Sequence, residues 1–140
     1  MKKMFFYLLT VFTIISCGLD DDTNSYHLEI LPVEEYVVPE IFTQGNTYPI
    51  KLFYKRPTTC YGYDGIYYNS LDSIRTIGIQ TFVLEQSNCT PIDDDAPLSH
   101  TSFEFHVTQT IGTSYVFRFF KGRDHEGNNI FDEIEIPVVE

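Results

Sequence analysis

The chain predicts an all-β fold, an antiparallel β-sandwich of about seven strands that follows an N-terminal export segment. Three observations carry this reading. Apolar side chains recur at every second position in several separate stretches, which lets each stretch cover one face of a sheet. No stretch after the first 16 residues keeps a helical period for three turns, and turn residues break the chain at the spacing expected of sandwich strands. Pro32, Pro39, Pro49, Pro57, Pro91, Pro97 and Pro137 fall at expected strand ends or in connections, where a missing N–H costs least.

The export segment comes first. Lys2 and Lys3 precede the apolar run Met4 to Ile15, and the small Ser16 stands directly before Cys17. This is the order of a secretory signal, and about a dozen apolar residues are too few to span a bilayer. The competing reading, a transmembrane anchor with an incidental cysteine, must also explain why Gly18-Leu19-Asp20-Asp21-Asp22 follows at once. Ile14-Ile15-Ser16-Cys17 resembles the bacterial lipobox. The resemblance implies a signal peptide over residues 1–16, a diacylglyceryl group on Cys17 and a mature N-terminus with three acyl chains. Each buried CH₂ adds roughly 0.8 kcal/mol, so such an anchor holds the protein at the membrane permanently. Residues 17–26 form an acidic tether. Asp20-Asp21-Asp22 resembles the signal that places lipoproteins of the Bacteroidota on the outer face of the outer membrane, and it also reads as a solvated spacer.

Residues 27–140 are expected to form the sandwich. His27 to Leu31 is the first strand. After the turn Gln44-Gly45-Asn46, Ile50, Leu52 and Tyr54 alternate with Lys51, Phe53 and Lys55. Ile66 to Tyr68 and Arg75 to Leu84 make a hairpin. Phe103, Phe105 and Val107 share one face of the next strand, Tyr115, Phe117 and Phe119 one face of the strand after it, and Ile134, Ile136 and Val138 one face of the last. Without the leader, 124 of the 140 residues remain, enough for one domain that buries about two-thirds of its unfolded surface.

Charge narrows the partners. The mature part holds 7 basic and 20 acidic side chains, a balance near −13 that argues against nucleic acid and anionic headgroups. With Cys17 acylated, Cys60 and Cys89 remain as a pair in an oxidising compartment. A disulfide between them is the default reading and two free thiols the alternative. A bridge closing this span would contribute about 3.5 kcal/mol on the chain-entropy model.

Tyr115-Val116-Phe117-Arg118-Phe119-Phe120 runs into Asp124-His125-Glu126-Gly127-Asn128 and then the closing strand. This stretch resembles the last hairpin of bacterial immunoglobulin-like domains, and the resemblance implies an immunoglobulin-like sandwich. Gly127 can take φ > 0, and Asp124 can cap the backbone N–H groups of the turn.

The search for chemistry returns few candidates. His27, His100, His106 and His125 show no metal-ligand spacing, and His106 alternates outward. Asp93-Asp94-Asp95 lacks the Gly and distal Glu of a calcium loop and reads as a solvated acidic loop rather than a cation site. With no nucleophile elbow, no phosphate-cradling glycine loop and no Cys/His pair, the expectation is a non-enzyme without metal or cofactor. Tyr61, Tyr63, Tyr67 and Tyr68 crowd a segment with Gly62 and Gly65. They read either as core aromatics or as an exposed platform for a sugar ring or a protein, with Tyr61 and Tyr63 as the binding candidates. Asp72-Ser73-Ile74 resembles a short O-glycosylation motif of the Bacteroidota, with Ser73 as acceptor. Signal, tether and strand pattern together resemble small Bacteroidota lipoproteins. That resemblance implies an outer-membrane, surface-exposed binding or accessory module of an envelope protein complex, with a glycan-binding lipoprotein as the alternative.

Overall fold

In a computed structural model, residues 25–140 are described; the export segment, Cys17 and tether residues 18–24 lie outside them. Alternation becomes strand at every predicted stretch. The elements are β1 (Tyr26–Leu31), β2 (Glu35–Val37), β3 (Phe42–Thr43), β4 (Thr47–Tyr54), β5 (Tyr61–Leu71), β6 (Ile74–Leu84), β7 (Ser99–His106), β8 (Ser114–Arg123) and β9 (Asn129–Val139). They form two sheets, one of six strands (β1, β3, β5, β6, β8 and β9) and one of three in the order β2-β4-β7. The fold is an all-β sandwich.

Nine strands stand where about seven were expected. β2 and β3 escape the sequence reading because Pro32, Glu34, Glu35, Pro39 and Glu40 interrupt any alternation there. β5 is longer than the expected Ile66 to Tyr68, since Gly62 and Gly65 weaken its strand signal. Pro49 and Pro137 lie inside β4 and β9, each near a strand end. Two pairings are parallel, β6 with β8 and β3 with β9, against the antiparallel expectation; the remaining pairings of named strands are antiparallel.

β6 is the hub. One of its edges pairs with β5 along nearly its whole length; the other takes β8 over Ile74–Ile77 and β1 over Ile79–Leu84. The chain then leaves β1 for the second sheet. Val33 N–H donates to the Phe120 carbonyl and Glu34 N–H to the Phe53 carbonyl, both at 2.8 Å. The Lys121 ammonium closes this crossover by donating to the Val33 and Glu34 carbonyls at 2.7 and 2.8 Å.

The core lies between the sheets. Ile50, Leu52, Ile77, Ile79, Tyr115, Phe117 and Phe119 are fully buried there, and Phe105, Ile136 and Val138 nearly so. Fully burying each large apolar side chain contributes about 1.5–3 kcal/mol. Tyr115, at the start of β8, keeps its hydroxyl satisfied by accepting the Thr108 and Gln109 N–H groups at 3.0 and 2.9 Å. The tie fixes the connection from β7 to β8 onto the core.

The local devices follow the residues. Leu71 pairs with Ile74, leaving Asp72-Ser73 as a two-residue hairpin connection with Asp72 at φ 52°, a region that Asp tolerates. In the last hairpin Gly127 has φ 87°, and one Asp124 carboxylate oxygen accepts N–H groups from Glu126 and Asn128 at 2.9 and 2.8 Å. These bonds hold the Asp124 carboxyl below its usual pKa, the Asn128 contacts contributing most. Cys60 and Cys89 are bridged, with Cα atoms 5.4 Å apart, and the bond closes the open end of the β5–β6 hairpin.

Candidate functional site on the outer face of the six-stranded sheet

A sheet that packs on one side normally turns polar residues to the other. This largely antiparallel sheet does so only in part. β6 buries Ile77, Ile79, Thr81 and Val83 and turns Ile74, Phe82 and Leu84 outward beside Thr76 and Gln80, with Gly78 covered between them. Beside Phe82 on β1 stands Leu28, 57% exposed, and next to it Tyr26, 62% exposed, whose ring meets Phe82 edge-on at 6.4 Å. Phe82 also lies flat against the chain at Gly62, where an added Cβ would fall 2.0 Å from its ring. Gly78 serves the same purpose further along: Ile30 Cγ2 sits 2.6 Å from where its Cβ would be, with Phe120 and Tyr67 on either side. The glycines let aromatic and branched side chains settle onto the sheet.

The far side of this face carries Phe120 and Phe131, with ring centroids 6.0 Å apart. The Arg118 guanidinium lies 4.3 Å above the Phe131 ring and pairs with Glu133 at 2.6 Å. Between these aromatics and β5 is a depression of about 240 Å³ lined by Ile30, Tyr67, Thr76, Phe120, Phe131 and Arg123. Arg123 and Asn129 supply its polar rim, joined by a hydrogen bond of 3.1 Å. Leu71, 66% exposed, extends the apolar surface to the hairpin tip. The arrangement is an apolar floor with hydrogen-bonding groups at one margin.

The tyrosine segment is divided between the two faces. A β-bulge between Tyr63 and Gly65 places two residues of β5 against one of β6, so the alternation changes phase at Asp64. Tyr61 and Tyr63 before it, and Ile66 and Tyr68 after it, all turn toward the second sheet; Tyr67 alone of the four tyrosines joins the outer face. Tyr61 packs against the core and donates its hydroxyl to Glu29 at 2.8 Å. Burial and the Glu29 carboxylate both push the Tyr61 phenol up. Tyr63, 43% exposed, accepts a hydrogen bond from Thr101 at 3.0 Å and lies 6.2 Å from the Tyr54 ring. The four rings therefore form no common flat platform. Of the two binding candidates only Tyr63 presents substantial ring surface.

Ser73 sits in the β5–β6 connection, half-buried, with its carbonyl accepting the Val116 N–H at 3.0 Å. In the acidic loop Asp94 pairs with Lys55, which holds its carboxyl below the usual range. Among the described residues no group of acidic, histidine and cysteine side chains has the geometry of a metal site. Cys17 lies outside the described residues.

Leu28, Ile30, Phe82, Phe120 and Phe131 carry the outer face, and the alternation reading passed over them. The signal was present as broken alternation. Phe82-Val83-Leu84 and Phe119-Phe120 are consecutive apolar residues, which a strand shows when both its faces meet apolar surroundings. Comparison of the chain with protein-family models, with curated proteins and with solved structures finds no match.

Proposed function

We propose that this protein is a lipid-anchored outer-membrane lipoprotein, turned to the cell exterior, whose sandwich is a binding or accessory module of an envelope protein complex. The observation that carries the binding role is the apolar outer face of the six-stranded sheet, with Tyr26, Leu28, Tyr67 and Leu71 all exposed on it. The anchor reading rests on Ser16-Cys17 after a short apolar run. The two fit together spatially. Tyr26 follows Cys17 by nine residues, a reach of at most about 30 Å when fully extended, so the edge of the apolar face stays close to the bilayer and its resident proteins. The immunoglobulin-like resemblance is supported by the Asp124–Asn128 turn and by the Tyr115 tie, a device known from such sandwiches. The parallel β6–β8 pairing departs from a purely antiparallel scheme. The division of the β5 tyrosines between two faces favours the protein-binding reading over the glycan-binding alternative.

The test is co-purification of the native lipoprotein with its membrane neighbours, compared between wild type and a Leu28→Asp/Tyr67→Asp double variant. Both positions are exposed, so the melting temperature should stay close to wild type while recovery of the partner falls at least tenfold. Undiminished recovery would remove the outer face as the docking surface.

A further inference from the structure

On the opposite side of β5, away from the apolar face, a charged group is buried without a counter-charge. Arg75, the second residue of β6, points inward and is only 8% exposed. One of its terminal nitrogens, Nη1, donates to the Asp72 and Ile74 carbonyls at 2.8 and 2.9 Å, and its guanidinium carbon lies 4.9 Å from the centre of the Tyr115 ring. Among the described residues no carboxylate lies within ion-pairing distance of it. Buried guanidinium groups are normally paired, because a charge removed from water needs an opposite charge as well as hydrogen-bond partners. Two carbonyls and a ring face supply dipoles and no net charge.

The guanidinium borders a cleft that Arg75 lines together with Tyr68. The cleft holds about 390 Å³ between β5, the start of β6 and the end of β7. Tyr68 and Phe103, meeting edge-on at 5.9 Å, form its apolar wall, and the Tyr68 hydroxyl lies within reach of the guanidinium. His106 and Thr108 line the far side, His106 with its Nδ1 3.1 Å from the Thr47 hydroxyl. Glu104 is the one carboxylate on the wall, exposed and short of ion-pairing distance to Arg75.

We propose that this cleft is a binding site for a carboxylate, seated on the free edge of the Arg75 guanidinium with the Tyr68 hydroxyl as a second donor. A guanidinium fork matches a carboxylate with two parallel N–H···O bonds, and the low-dielectric surroundings of a buried Arg strengthen them. One guanidinium beside Glu104 favours a singly charged ligand over a phosphate dianion, since each added negative charge meets the Glu104 carboxylate. The site is independent of the outer face, from which β5 separates it.

The test is a ¹H–¹⁵N NMR titration of the full processed chain in detergent micelles, following the Arg75 Nε–H signal and the amides of Tyr68 and His106. Sodium acetate should produce saturating shifts that equal concentrations of sodium chloride do not. In Arg75→Gln binding should weaken at least tenfold, and in Tyr68→Phe, whose ring and packing are kept, severalfold. Acetyl-Ala-Ala with a free C-terminus should bind where its amide does not. Tighter binding of that peptide than of acetate would assign the site to a chain end, and equal binding to a small free acid. Glu104→Gln should bind acetate more tightly than wild type. Shifts that are linear, or matched by chloride, overturn the proposal, as does tighter binding of inorganic phosphate. Acetate binding seen only in Glu104→Gln would show that the protein's own carboxylate closes the site, and would overturn it too.

Discussion

At the scale of single residues, buried tyrosines do the polar work of the core. Tyr36 stacks on Phe119 with ring centroids 3.9 Å apart and donates its hydroxyl to Asp132 at 2.9 Å. Burial, then the Asp132 carboxylate, push its phenol up from 10.0 to about 12. A raised phenol pKa means that the folded state holds the proton more tightly than the unfolded one. The stability it contributes is complete below pH 10 and is lost as pH rises through about 12. Spectrophotometric titration should therefore show one fewer late-ionising tyrosine in Tyr36→Phe than in the wild type. The Tyr115 hydroxyl makes a different bargain, accepting two backbone N–H groups that have no other acceptor in the β7–β8 connection. Tyr115→Phe should destabilise by about 1–3 kcal/mol in urea unfolding, because the ring stays and only the acceptor goes. Sequence placed Tyr115 correctly on the buried face of its strand. It could not show the hydroxyl's partners, which depend on how β7 hands over to β8.

At the scale of elements, the buried faces of the strands were legible and the second, apolar faces of β6 and β8 were not. β4 alternates cleanly and β8 does so as far as Phe119, and the buried faces expected of them are the buried faces found. β5 was misjudged for a physical reason: a bulge at Asp64 shifts its phase, and period-two reasoning has no access to where a bulge falls. β6 touches three strands and hides its best-packed point at Gly78. Gly78→Ala should destabilise by about 1–3 kcal/mol, since Ile30 must move from a position 2.6 Å from the new methyl; equilibrium unfolding beside Ile30→Ala/Gly78→Ala, in which the space is restored, would check the cause. The hairpin these strands form is held at its open end by Cys60–Cys89. Reducing that bond should lower stability by up to about 3.5 kcal/mol, measured as a shift in the denaturation midpoint with and without reductant.

At the scale of the whole molecule, the sandwich was readable because most of its core comes from alternating segments. The apolar outer face and the Arg75 cleft were not, since each is assembled from strands far apart in sequence: β1 with β6 in one case, β5 and β6 with β7 in the other. Lipidation belongs to this scale as well. Cys17→Ala should leave the protein unprocessed or released from the membrane on fractionation, and normal retention with an unmodified N-terminus would sink the anchor reading. If the proposed anchor and partner both hold the domain, it is also a mechanical object, and the N-terminal corner would define how it bears load. Tension from such an anchor would enter at Ser25 and Tyr26. Ser25 is bonded across to Glu85 at 2.8 Å, Tyr26 lies opposite Leu84, and the Leu84 N–H donates to the Cys60 carbonyl at 3.0 Å. Cys60 is itself joined covalently to Cys89, so a pull on the anchor meets the one cross-link of the domain within a few residues of where it arrives. Force from such an anchor would then pass to the six-stranded sheet at its covalently reinforced end, where the bridge keeps the open end of the β5–β6 hairpin closed.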